Sequence, residues 1–297
     1  MKPNVWQAMK PAELSLGDFL RRTSPEITHL VELPQQTLLV LISHVLKQPQ
    51  TWILAHPEAE LSTAQRAELT ALVARLKQGE PLPYLTGRQE FFGLSFEVSP
   101  VVLIPRPETE LLVETALSWL RSHPTANSAV DVGTGSGCIA VSLAANTPSL
   151  HIVATDISAE ALVIAQQNAH FHHVDDRIAF QEADLISPDL GQFDLICANL
   201  PYIPTSKLAE VNSLPYEPAL ALDGGQDGLA LIKRCLDLTP AHIRTPGLLL
   251  FEIEATTGSA ALALANKVFP QAKITLLPDL AGKERLLTIE REPSDER

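Results

Sequence analysis

The run Phe193-Asp194-Leu195-Ile196-Cys197-Ala198 constrains what this chain can fold into more than any other stretch. Its apolar residues follow one another without strict alternation, the pattern of a strand covered on both faces of a parallel sheet. Parallel strands cannot be joined by tight turns, so such a sheet demands crossover helices between its members. The sequence supplies them. Residues 129–132, 151–155, 178–181, 193–198 and 248–253 read as strands, and residues 138–145, 159–170, 229–238 and 258–269 as helices. Residues 274–277 and 286–289 end the series with little chain between them for a helix, which predicts an antiparallel pair. The expected fold class is α/β.

The central run stops at Asn199-Leu200-Pro201-Tyr202, because Pro201 has no N–H for a sheet ladder. A polar amide, a proline and an aromatic ring therefore fall at the carboxyl end of a strand, the edge of an open α/β sheet where ligands bind. Asn199 offers a carbonyl oxygen as acceptor, and the Leu200 or Pro201 carbonyl a second. Two acceptors can hold both hydrogens of a substrate –NH2 group, with the Tyr202 ring against its plane. An amide nitrogen is a poor nucleophile, so orienting it toward an electrophile is the help it needs. On its own the tetrapeptide reads equally well as a turn that ends a strand.

Asp131-Val132-Gly133-Thr134-Gly135-Ser136-Gly137 joins the first strand of the series to its helix, and its glycines let the backbone come close to a ligand. A nicotinamide fingerprint would need glycine where the chain has Cys138, and no lysine of a phosphate loop is present. Asp156 lies at the tip of the next strand, 19 residues beyond Gly137, where a carboxylate suits a ribose diol. Asp131 can order the loop amides or meet a cationic group. Asp184 can accept from an adenine amino group and Leu185 cover the ring, or the two can simply belong to a polar loop. The turn with its spaced acid points to an adenosine cofactor more than to turn chemistry alone.

Upstream, residues up to about 79 read as helices. Leu38, Leu41, Ile42 and Val45 recur at helical spacing after Pro34. Ser62 and Gln65 form a capping box before the apolar face of Leu69, Leu72, Val73 and Leu76. A Pro/Gly-rich stretch from Gly79 to Gly87 marks a boundary, and residues 90–98 suggest a hairpin turning near Gly93. Pro105-Arg106-Pro107-Glu108-Thr109-Glu110 then opens a helix, with Glu108 and Glu110 at its positive end and Arg106 facing the site. Hydrophobic residues at 45% and charged residues at 19% of 297 fit globular cores. Lys+Arg 22 against Asp+Glu 35, a formal charge of −13, argues against a broad phosphate-binding surface. Cys138, Cys197 and Cys235 form no CxxC pair, and the histidines form no grouping with metal-ligand character, so no metal site is expected. Residues 1–7 lack the apolar core of a signal peptide, residues 38–46 are too short to span a bilayer, and residues 292–297 read as a frayed tail.

With these pieces in order, the chain resembles the S-adenosylmethionine-dependent methyltransferases of the seven-stranded Rossmann-like class, and more narrowly the peptide chain release factor glutamine methyltransferase family. The resemblance runs through Gly79-Glu80-Pro81, Glu90-Phe91-Phe92-Gly93-Leu94, Ile104-Pro105-Arg106-Pro107-Glu108-Thr109-Glu110, the glycine turn and Asn199-Leu200-Pro201-Tyr202-Ile203. It continues in Glu217-Pro218-Ala219-Leu220 and Gly224-Gly225-Gln226-Asp227-Gly228. It implies a small helical substrate-docking domain over 1–80, a linker with a β-hairpin over 81–105 and an S-adenosylmethionine-binding catalytic domain over 106–292. It also implies methyl transfer to the side-chain amide nitrogen of the glutamine in the Gly-Gly-Gln motif of release factors. Gly133, Thr134, Gly135, Ser136 and Gly137, with Asp131, Asp156, Asp184, Leu185 and Asn199, are the implied cofactor-binding residues. Asn199, Leu200, Pro201 and Tyr202 would bind the glutamine, with Asn199, Pro201 and Tyr202 catalytic. The implied setting is a cytoplasmic monomer acting in translation termination, with no membrane and no direct nucleic-acid contact. Two departures stand out: Leu200 replaces the usual first proline of N-P-P-Y, and Glu252-Ile253-Glu254 lacks the usual following glycine. A nucleic-acid amino-methyltransferase would use the same tetrapeptide on a flipped base and is the alternative.

Overall fold

The computed structural model describes residues 15–210 and 215–293. The leader reading at residues 1–7 and most of the frayed tail lie outside the described residues. The chain divides into two compact units, Met1–Thr86 and Gly87–Arg297.

The first unit is helical. It comprises α1 (Leu16–Ile27), α2 (Pro34–Leu46), α3 (Gln50–Ala55), α4 (Thr63–Lys77) and α5 (Leu82–Thr86). The capping box forms as the spacing requires, Gln65 N donating to Ser62 Oγ at 3.2 Å and Ser62 N to Gln65 Oε1 at 3.0 Å. Leu16, Leu38, Leu41, Ile42, Ile53 and Leu69 are buried together, so the apolar stripes form a core of their own. Helix α5 extends this unit past the expected boundary at residue 80.

The second unit opens with the hairpin of β1 (Arg88–Phe91) and β2 (Leu94–Glu97), turning at Gly93. It is not a free linker. Phe91 and Phe96 are buried with Leu112, Val113 and Leu143, and Glu110 Oε1 accepts from Phe92 N at 2.8 Å. Asn168 accepts from Glu97 N at 2.7 Å and donates to its carbonyl at 3.0 Å. The hairpin thus packs into the sheet domain's own core.

A 3-10 turn at Pro107–Thr109 leads into α6 (Glu110–Ser122). Then come β3 (Ser128–Val132), α7 (Cys138–Asn146), β4 (His151–Asp156), α8 (Ala159–Phe171), β5 (Ile178–Glu182) and β6 (Phe193–Ala198). The chain ends with α9 (Ala230–His242), β7 (Ile243–Glu252), α10 (Gly258–Val268), β8 (Lys273–Pro278) and β9 (Glu284–Arg291). The seven-stranded sheet has the order β5-β4-β3-β6-β7-β9-β8. All pairs from β5 to β7 are parallel, and β9 lies antiparallel to both β7 and β8. Leu195 and Cys197 of β6 pack into one face's core and Ile196 and Ala198 into the other's, so the central strand is covered on both faces as expected. Among the described residues no helix is long and apolar enough to cross a membrane.

Candidate active site

Strand β3 neighbours β4 on one side and β6 on the other, so the strand order reverses between β3 and β6. A crevice at the carboxyl ends is expected at such a point. A cavity of about 490 Å³ opens there, within the range that holds a small organic ligand. Gly133, Thr134, Gly135, Ser136, Asp156, Asp184, Leu185, Asn199, Leu200 and Pro201 all line it. The sequence placed each of these residues at a site, and the fold brings them to one.

The glycine turn is held open from below. Gly133 N and Thr134 N donate to Thr155 O at 2.8 and 2.9 Å, tying the loop to β4. Gly133, Gly135 and Gly137 have φ of 72°, 56° and 80°, a region that side chains rarely enter. A Cβ on Gly135 would meet nothing within 4 Å, so its backbone faces open space. Gly137 differs: a Cβ there would stand 3.1 Å from Ala165 Cβ, and its role is to let α7 start hard against α8. It does not line the cavity.

Asp156 binds the turn with one oxygen and the next helix with the other. Gly135 N donates to Oδ2 at 2.8 Å and Ser158 N to Oδ1 at 2.9 Å. Burial raises its carboxyl pKa against these two bonds. Asp131 lies beneath the turn, 1% exposed, and does not reach the cavity. Its Oδ2 accepts from Thr134 Oγ1 at 2.6 Å and Ala140 N at 3.2 Å, while Oδ1 is buried with no partner among the described residues. Burial pushes this carboxyl up to about 7. Of the two readings open for Asp131, the geometry favours ordering of the loop.

Asn199 stands one residue past Ala198, the last residue of β6, and Glu252 one past its pairing partner Phe251. Asn199 Nδ2 donates to Thr109 Oγ1 at 3.0 Å, and no described residue donates to its Oδ1. Tyr202 does not line the cavity; its hydroxyl turns away and donates to Glu252 Oε1 at 3.0 Å. Burial and the neighbouring Glu252 raise the phenol's pKa. Glu252 is 1% exposed, and burial raises its carboxyl against the opposing hydroxyls of Thr109 and Tyr202. Its Oε2 closes no full hydrogen bond among the described residues. The Leu200 side chain lies against Gly133, 3.0 Å from where a Cβ would be, so this departure from the usual proline is absorbed by the glycine turn.

Three further pieces were not visible in the sequence as site elements. Glu217 is buried and ion-pairs Arg106 through both oxygens at 2.6 and 2.8 Å, while also accepting from Ile104 N at 3.3 Å. It clamps the segment that carries Thr109, and Arg106 lines the cavity as expected. The Gly224-to-Gly228 block wraps the chain beyond Tyr202. Gly224 N donates to Ile203 O at 2.8 Å and Thr205 N to Gly225 O at 2.9 Å, and a side chain on Gly224 would strike the Tyr202 backbone. Arg234 of α9 reaches the cavity rim and pairs with Asp184 at 2.7 Å.

An open sheet of this order, with a glycine turn after its first strand and a strand-end acid beside it, defines a Rossmann-like methyltransferase. Residues 107–212 match the family model described as a methyltransferase small domain, and residues 18–87 match that of the PrmC N-terminal domain. The chain is 40% identical over 276 residues to a release factor glutamine methyltransferase of Moorella thermoacetica, covering 91% of this chain and 95% of that one. It is 39% identical over 258 residues to one of Bordetella pertussis, covering 86% and 94%. A crystal structure of the hMettl16 catalytic domain, in complex with the MAT2A 3'UTR hairpin 6, shares the fold at a TM-score of 0.55. That structure is 15% identical, with 78% of this chain and 84% of that one covered. The chain belongs to the release factor glutamine methyltransferase family.

Proposed function

We propose that this protein transfers a methyl group from S-adenosylmethionine to the side-chain amide nitrogen of the glutamine in the Gly-Gly-Gln motif of release factors. The observation that carries the reading is Asn199: its carboxamide lines the same cavity as the glycine turn and Asp156, with Nδ2 occupied by Thr109 and Oδ1 accepting from no described residue.

The residues present fit the cofactor. Gly135 presents bare backbone to the cavity, and Asp156 has lone pairs left for a ribose diol after its two backbone bonds. Leu185 and Asp184 line the same cavity and would take the adenine end. When bound, S-adenosylmethionine supplies an electrophilic methyl group on a sulfonium. The chain's own part is orientation. Asn199 Oδ1 and a backbone carbonyl of Leu200 or Pro201 accept the two hydrogens of the substrate –NH2 and aim its nitrogen into the cavity. These bonds strengthen as that nitrogen loses electron density, which favours the transition state over the ground state. Tyr202, turned toward Glu252, braces the loop rather than touching the amide through its hydroxyl.

The helical unit serves to dock the release factor. The setting is the cytoplasm, during translation termination, with the enzyme acting as a monomer; the three buried free cysteines fit a reducing compartment. A labelled-methyl assay offering release factor, DNA and RNA side by side tests the reading. Mass spectrometry should place one added methyl on the Gly-Gly-Gln peptide. Label appearing only on nucleic acid would overturn it.

A further inference from the structure

We propose that Thr109 and Glu252 form a positioning pair that fixes the Asn199 carboxamide in the one orientation that leaves its oxygen for the substrate nitrogen. The proposal rests on the amide-binding role of Asn199 argued above.

A carboxamide is nearly symmetric in shape, and turning it over exchanges an acceptor for a donor. In the wrong orientation Nδ2 would face the substrate –NH2, donor against donor, and the nitrogen to be methylated would be held by nothing. Packing alone cannot tell the two states apart; only a partner on the far side can. That partner is Thr109 Oγ1, 1% exposed and 3.0 Å from Nδ2.

A hydroxyl alone does not settle the matter, because it can accept from Nδ2 or donate to Oδ1. Glu252 removes the ambiguity. Glu252 lies beside that hydroxyl with Oε2 buried and without a partner among the described residues, so the Thr109 proton has an acceptor there and a lone pair is left for Asn199. The same carboxylate takes the Tyr202 hydroxyl at 3.0 Å, so one buried acid sets both polar ends of the Asn199-to-Tyr202 loop. Burying a carboxylate with no ion pair among the described residues is costly, and an apolar residue would serve packing better. The device is assembled from three places in the chain: the turn before α6, the end of β6 and the end of β7.

Thr109→Val keeps the shape and removes the hydroxyl; Thr109→Ser restores a hydroxyl. Thr109→Val is expected to lower kcat on release factor by about tenfold or more, with cofactor Kd and release-factor KM within about twofold. Thr109→Ser should recover most of the loss, and Glu252→Gln, which offers an amide to Thr109, should behave like Thr109→Val. A second measurement does not depend on turnover. With ¹⁵N-labelled asparagine, the Asn199 side-chain resonances, assigned by their absence in Asn199→Ala, should show a proton protected from exchange. That protection should vanish in Thr109→Val and return in Thr109→Ser. A kcat within twofold of wild type in Thr109→Val, or Asn199 resonances indifferent to Thr109, would overturn the proposal. Wild-type protein that leaves release factor unmethylated would instead strike the functional reading, while the resonance experiment still decides the orientation.

Discussion

The two ends of β6 carry polar side chains under opposite conditions. At its amino end Asp194 accepts from Asn127 N at 2.9 Å, Ser128 N at 3.0 Å and Ser128 Oγ at 2.7 Å, and pairs with Arg244 at 3.1 Å. Burial pushes its carboxyl up, but the bonds from Ser128 and Asn127 and the Arg244 guanidinium outweigh it and hold the pKa below the ordinary value. Beside its carboxyl end, on the neighbouring strands β3 and β7, Asp131 and Glu252 are buried with one oxygen each unbonded, and both pKa values are raised. The first arrangement leaves neither oxygen without a partner and serves to lock three segments together. The second leaves valences open on two acids that stand behind the cavity without lining it, at the edge where perturbed carboxyls gather near a site.

A crossed pair of substitutions would break this contrast if it is wrong. Asn199→Ala removes an acceptor that acts on the transition state and should cost about 3 kcal/mol there, a rate loss on the order of a hundredfold or more. Its urea midpoint should stay close to wild type, and methyl-transfer rates within threefold of wild type would refute the role. Asp194→Ala should do the reverse, losing about 2–3 kcal/mol of stability because backbone donors are left unpaired. The folded protein should retain its turnover, since the change lies at the opposite end of the strand. A loss of kcat without loss of stability in Asp194→Ala would erase the distinction between the two ends.

Much of the catalytic edge could be read from the chain because its signals are local. Strand periodicity, the glycine turn, the acid at the tip of β4 and the Asn-Leu-Pro-Tyr stop each occupy a few consecutive residues, and the site residues among them line the cavity apart from Asp131, Gly137 and Tyr202. Those three stand apart because sequence shows that a residue belongs to a motif but not which way it faces. The missed elements are pairings across distance. Asn199 meets Thr109 across 90 positions, Arg106 meets Glu217 across 111 and Tyr202 meets Glu252 across 50. Glu110 read as a helix-dipole residue, yet it also caps the hairpin at Phe92, 18 positions away. Strand β7 begins at Ile243, which pairs with Phe193, rather than at Leu248, and it runs through Pro246, a residue that reads as a strand breaker.

Within the catalytic end, Asp156 and Asp131 differ in what they face, which sharpens the comparison at smaller magnitudes. Asp156 lines the cavity, so Asp156→Ala should weaken cofactor binding by about 1.5–3 kcal/mol through loss of a charged hydrogen bond. Calorimetry showing unchanged affinity would contradict the ribose assignment.

Asp131 faces only the protein, so its signature is in folding. Its carboxyl ionises near the usual 3.8 when exposed and at about 7 when buried. Between those values the folded state holds a proton that the unfolded state has released, and stability falls as pH rises. The contribution is complete below the unfolded pKa and is lost as pH climbs through the folded one. From pH 6 to pH 7 it should amount to about 1 kcal/mol. Asp131→Asn cannot titrate, and its amide oxygen can still accept from Thr134 and Ala140. Asp156 and Glu252 add slopes of the same sign, but they remain in both proteins and cancel in the difference. Urea unfolding at stepped pH should therefore show wild type losing stability relative to Asp131→Asn as neutrality is approached. Parallel curves would mean that the acid beneath the glycine turn is as fully satisfied as Asp194.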